Sequence, residues 1–152
     1  MTINLSKYTL QLQRTPNGIQ VFDKLRQKFV AYTPEEDIRQ RFVAYLTTAL
    51  AFPAGLMNNE VSINQNGIKR RCDTIVFDRN GKPAMVIEFK APTVQITQDV
   101  FNQIYRYNIV LRVKYLIVTN GREIYCCRND YTNNRCEFIK TIPNYNDLTS
   151  KI

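Results

Sequence analysis

The stretch RRCDTIVFDRNGKPAMVIEFKAP, Arg70 to Pro92, decides how the chain is read. Arg71–Asp78 and Pro83–Phe89 are rich in β-branched and aromatic residues, so each reads as a strand. Asn80-Gly81 between them signals a two-residue type I′ turn, which needs positive φ at both positions. Counting back from that turn sets Arg79 against Lys82, Asp78 against Pro83, Asp73 against Glu88 and Arg71 against Lys90. Side chains alternate with period two. The count therefore predicts Arg71, Asp73, Glu88 and Lys90 on one face.

Carboxylates at opposed positions have Cβ atoms about 5 Å apart, and like charges there repel. A divalent cation between them reverses that sign. Mg²⁺ takes oxygen ligands, commonly one or two carboxylates with water and phosphate. Such an ion lowers the pKa of a bound water and stabilises charge on phosphate. Lys90 points the same way and suits orienting the attacking water or neutralising the phosphate. A solvated cross-strand charge cluster of the same four residues is the plainer alternative.

The 152 residues suffice for one domain with its own core, spanning 1–152, with an N-terminal extension over 1–20 and an irregular tail over 144–152. The net charge of +8 favours polyanionic partners. The chain has no histidine, which removes Ser-His-Asp and Cys-His nucleophiles and any His-ligated metal. The four cysteines form no C-x-x-C pair, so they are expected as free thiols in a reducing cytoplasm. No signal peptide or membrane span is evident.

Outward from the hairpin, Thr9–Arg14 reads as a strand ended by TPNG, and IQVFDKLRQKFV as a short helix. In TPEEDIRQRFVAYLTTAL, Thr33 caps, Pro34 suits the first helical position, and Ile38, Phe42, Tyr45, Leu46 and Ala49 repeat at helical spacing. Glu60–Ile63 is a short strand, Thr97–Leu111 a helix, and Lys114–Gly121, Arg122–Arg128 and CEFIK are further strands. The helix before Lys114 is long enough to cross over to a parallel strand. The expectation is an α/β fold, a mixed β-sheet with hairpin-paired strands flanked by helices.

Asp73 followed by Glu88-Phe89-Lys90 resembles the PD-(D/E)XK nuclease signature. With TPEEDIRQRFVAYL, QDVFNQIYRYN and YLIVTNG in order, the chain from about Gln20 to about Pro143 resembles the N-terminal nuclease domain of type I restriction enzyme R subunits. Its short stand-alone bacterial relatives look closer still. The resemblance implies a restriction-endonuclease-like core and a DNA endonuclease using Mg²⁺ or Mn²⁺. It places the metal on Asp73, Glu88 and the Phe89 carbonyl, with Lys90 catalytic. It adds Gln103 and Tyr107 on the following helix, where a spacing of four puts both on one face. It also expects an acid from the first helix. Glu36 is preferred to Glu35, although Thr33-x-x-Glu36 is also a capping box. Cys72 stands where the signature has proline.

Lys69, Arg70, Arg71, Arg106 and Tyr107 are the expected DNA contacts, able to position a duplex without reading its sequence. The chain contains no G-x-x-x-x-G-K-[ST] loop, so ATP-driven translocation is not carried over. Other restriction-system subunits and a homodimer are the expected protein partners. The rival expectations are a non-catalytic DNA- or protein-binding module on a nuclease fold, and a nucleotide-modifying or RNA-processing enzyme.

Overall fold

The computed structural model describes residues 1–65 and 67–149, without the side chains of residues 65, 68 and 70. Its main sheet has six strands in the order β4-β5-β6-β7-β8-β9. They are β4 (Met57–Gln65), β5 (Ile68–Phe77), β6 (Pro83–Phe89), β7 (Tyr115–Thr119), β8 (Ile124–Asp130) and β9 (Arg135–Ile139). All neighbours are antiparallel except β6 and β7, which run parallel. Helix α2 (Gln98–Asn108) makes the crossover between those two, as its length predicts. Helix α1 (Pro34–Ala49) precedes the sheet. Thr33 caps it by accepting the Glu36 N–H at 3.0 Å.

The sheet separates two apolar layers by the period-two rule. Met85, Ile87 and Phe89 of β6 and Tyr115 and Ile117 of β7 pack with Phe42 and Leu46 of α1. Val86 of β6 and Leu116 and Val118 of β7 pack with Phe101 and Ile104 of α2. Every residue of β7 is buried, as befits a strand covered on both faces. Phe89 stacks edge-on against Phe42, centroids 5.9 Å apart. That anchor turns its neighbours Glu88 and Lys90 away from α1.

Residues 19–30 do not form the expected helix. β1 (Leu12–Thr15), β2 (Gly18–Asp23) and β3 (Lys28–Ala31) make a separate three-stranded antiparallel sheet. Val21 pairs with Val30 and Phe22 with Phe29, residue types that favour strands. Asp23 Oδ1 accepts the Leu25 and Arg26 N–H groups, each at 2.9 Å, and Gln27 takes φ 54°, which together close a turn where a helix would have continued.

The expected irregular tail is also corrected in part. Tyr145–Leu148 form α3, with Tyr145 and Leu148 buried in the α1-side layer. Residues 150–152 lie outside the described residues. The expectation of cysteines outside any disulfide holds for Cys72 and Cys126, both buried. Cys127 and Cys136 are instead joined as a disulfide. The β8–β9 register sets Asn129 opposite Cys136, so Cys127 lies on the diagonal, with Cα atoms 6.1 Å apart, a span a disulfide can bridge. Among the described residues, no helix is long and apolar enough to cross a membrane.

The β5–β6 hairpin differs from the expectation in two ways that cancel. Asn80 has no positive φ, and the Gly81 N–H bonds to the Asp78 carbonyl, with Gly81 at φ 80°. This is a three-residue loop, a type I turn followed by a left-handed glycine, rather than a type I′ turn. Asp78 N–H accordingly bonds Lys82 O, and Phe77 pairs with Pro83. A bulge then shifts the register between Val76 and Phe77. Beyond it Val76 pairs with Met85, Ile75 with Val86 and Thr74 with Ile87. Asp73 is thereby returned in line with Glu88.

Candidate functional site

The ladder between β5 and β6 ends at Thr74–Ile87. The next step is made by a side chain. Asp73 Oδ2 accepts the Phe89 N–H at 2.8 Å, so an acid takes the place of strand backbone. This brings Asp73 beside Glu88. The Glu88 carboxyl is pushed up to about 9, first by burial and then by the charge and hydrogen bonding of Asp73. Asn108 of α2 and Lys90 oppose that rise without cancelling it. Glu88 Oε1 is buried with no hydrogen-bond partner. A buried carboxylate oxygen in that condition is costly, and a cation or a proton relieves it.

Each acid of the pair lines a different hollow. The first, about 300 Å³, opens between the β2–β3 sheet and the start of α1, with Asp73, Phe89, Arg71 and Glu36 on its walls. The second, about 320 Å³, lies between β6 and α2 and is lined by Glu88, Lys90, Gln103 and Tyr107. The expected shared face is therefore divided. Asp73 and Arg71 border one hollow, Glu88 and Lys90 the other, and consecutive residues of β6 form the boundary.

Gln103 is exposed on α2 and Tyr107 half-buried below it. The Tyr107 hydroxyl accepts the Arg71 N–H at 2.9 Å, which ties α2 to β5. Lys69 and Arg106 are exposed. Arg71 is exposed too, yet its Nε donates to Glu60 Oε2 at 2.6 Å. The Arg70 side chain lies outside the described residues.

Glu36 is buried, whereas Glu35 is exposed. Its Oε1 accepts from Arg39 Nη2 at 2.6 Å and Arg26 Nη2 at 3.1 Å. Its Oε2 accepts from Arg39 Nε at 2.7 Å and Gln40 Nε2 at 3.3 Å. The capping box forms only from the Thr33 side, because the Glu36 carboxylate is turned inward to these donors. It lines the same hollow as Asp73 with both oxygens occupied. Among the described residues, no three Cys, Asp or Glu side chains gather closely enough to hold a metal. Asp73 and Glu88 stand as a pair.

Sequence reasoning missed three participants. Arg39, Glu60 and Asn108 reach the site by contacts between residues far apart in the chain, which no local pattern announces. Arg39 Nη1 donates to the Asp73 carbonyl at 3.0 Å and lies 2.8 Å from Glu60 Oε1. Burial alone would lower the Arg39 pKa, but Glu36 and Glu60 outweigh it and hold it above its ordinary value. For Glu60, burial is likewise outweighed, by Arg39 and Arg71, and its carboxyl lies below the usual range.

A family profile described as type I restriction enzyme R protein N terminus (HSDR_N) matches residues 34–143. A search of curated proteins returns no match. Among solved structures, the chain is similar to a fragment described as an HsdR subunit of a type I restriction enzyme from Vibrio vulnificus YJ016, with a TM-score of 0.56 and 21% identity. The likeness covers 76% of this chain and 24% of that one, and it shows a shared fold.

Proposed function

Because the chain belongs to the type I restriction enzyme R protein N-terminus family, we propose that it is a DNA endonuclease of a restriction or defence system. The observation that carries this is the Glu88 oxygen, buried without a partner beside Asp73. We read Asp73 with Glu88-Phe89-Lys90 as a PD-(D/E)XK site. Asp73, Glu88 and the Phe89 carbonyl are the groups that would hold Mg²⁺ or Mn²⁺, whose oxygen-ligand preference suits them. When bound, such a cation supplies Lewis acidity toward phosphate and water.

The remaining roles belong to the chain. Lys90 shares its hollow with Glu88 and places a positive charge where a phosphate gains negative charge during hydrolysis. Gln103, exposed on the opposite wall, offers an amide to orient that phosphate. Tyr107 holds α2 against β5 through the Arg71 N–H, and the exposed Lys69 and Arg106 contact the DNA backbone. Glu36 serves as a partner for arginines rather than as a third ligand. Cutting both strands takes two sites, supplied by a homodimer or by assembly with other restriction subunits. A second reading, a binding module on a nuclease fold, draws on there being no third acid at the pair among the described residues.

The test is nicking of supercoiled plasmid with Mg²⁺ or Mn²⁺ by wild type and Asp73→Ala, with calorimetry of metal binding. Cleavage and metal binding that both vanish in Asp73→Ala support the nuclease. Metal binding without cleavage points to a missing partner. Absence of both in wild type favours the binding module, and preferential cutting of RNA redirects the substrate.

A further inference from the structure

The β4–β5 ladder has a fault at the site. Asn59 pairs with Thr74 and Val61 with Cys72, so the register is the same on both sides, yet the intervening Glu60 and Asp73 do not pair. Residues two apart on a strand normally share a face. Here they do not. Thr74 donates to Asn59 Oδ1 at 2.7 Å, and Asn59 donates to Asp23 Oδ2 at 3.0 Å, on the side of β2. Cys72 and Val61 pack in the layer beneath α2. Both strands therefore turn over at the Glu60–Asp73 step. Glu60 takes φ 56°, a strained conformation for a side chain of its size.

Backbone groups displaced by such a fault need other partners. Arg39 supplies one by donating to the Asp73 carbonyl while engaging the Glu60 carboxylate. Its Nε and Nη2 donate to Glu36. Glu36 is in turn held by Arg26, whose Nε donates to Asp23 Oδ2 at 2.6 Å. The brace runs without a break from the β2–β3 turn to the site strand, and its origin precedes residue 34, where the family match begins.

We infer that Arg39 is a positioning residue: held by Glu36, its guanidinium fixes the backbone at Asp73 and the side chain of Glu60, so that the Asp73 carboxylate meets the Phe89 N–H and Glu88. The placement stands on the geometry alone, and its consequence for cleavage rests on the nuclease reading. A lysine cannot reproduce it, because one ammonium lacks the planar fork that spans Glu36, Glu60 and a carbonyl together.

The experiment compares wild type, Arg39→Lys and the control Arg41→Lys, another arginine of α1. Hydrogen exchange of residues 71–75 is followed in metal-free protein, with melting midpoint, Mn²⁺ affinity by calorimetry, and kcat and KM for plasmid nicking. Arg39→Lys is expected to speed exchange at 71–75 about tenfold with little change elsewhere. Mn²⁺ affinity and kcat are expected to fall by about 10–100-fold, the range seen when groups behind metal ligands are altered, with KM for DNA unchanged. Arg41→Lys should match wild type. Unchanged exchange and unchanged Mn²⁺ affinity in Arg39→Lys would overturn the inference. So would faster exchange throughout the chain with a lowered midpoint, which marks a general stabiliser. If wild type binds no Mn²⁺, the nuclease reading falls, and local exchange at 71–75 alone decides the role of Arg39.

Discussion

Glu36 and Glu88 both stand near Asp73, and the fold treats them in opposite ways. Glu36 is buried with four donors sharing its two oxygens. Glu88 keeps one buried oxygen with no partner and faces a second carboxyl. A glutamate with every lone pair used is part of the frame. One held under repulsion and desolvation costs stability, and it persists where something beyond folding requires it.

The sharpest way to break this contrast is Glu36→Ala. It leaves Arg39 buried with a reduced complement of anions, and losing one partner of a buried ion pair costs about 3–5 kcal/mol. Urea unfolding should register that loss, and a change under 1 kcal/mol would mean that Glu36 is not the frame residue described. Next in size is Lys90→Ala. On the proposed nuclease function, removing its charge from the hollow of Glu88 should lower kcat by about 10²–10³-fold, with the melting midpoint near that of wild type. Equal rates in a plasmid assay would take Lys90 out of the chemistry.

Glu88→Gln tests the other half of the contrast and should change stability in the opposite direction from Glu36→Ala. The Glu88 carboxyl titrates at about 9 in the folded protein against a reference value of 4.5. Between those values the folded state holds a proton that the unfolded chain has released, so wild-type stability declines as pH rises. Glu88→Gln removes the penalty. Its melting midpoint should exceed that of wild type by several degrees at pH 8 and match it near pH 4.5. A midpoint difference that does not change with pH would refute the strained-acid description. The smallest effect is expected of Tyr107→Phe, which loses the bond to the Arg71 N–H and should cost about 1 kcal/mol.

Much of the scaffold could be read from period and capping. The Thr33 cap, the apolar run of β7 and the crossover length of Thr97–Leu111 each follow from short-range chemistry. Residues 19–30 read as helical from sequence because Leu25 and Arg26 interrupt two strands with residues common in helices. The Asp23 side chain that closes the turn is recognisable only once it is seen buried. At the candidate site, the alignment of Asp73 with Glu88 is legible because strand counting sets them abreast. Their division between two hollows was not, because it follows from the turnover at Asp73. Arg39 was illegible for a similar reason, since its bond to Asp73 joins residues 34 apart. Glu36 looked like a cap and a ligand candidate together, and only the arginines around it show which way it turns.

The β5–β6 hairpin works as a vernier. Its three-residue loop displaces the strands by one step, and the bulge at Val76–Phe77 restores it. Were Asn80-Gly81 to close as a tight two-residue turn with the bulge kept, Asp73 would come abreast of Phe89 instead of Glu88. A slip of one carries a side chain to the other face of the sheet. Turn type and bulge therefore set the alignment of the two acids jointly. In related chains a change of turn type keeps the two acids abreast only if the bulge changes with it, so the combined phase of loop and bulge, rather than the spacing itself, is the quantity to compare.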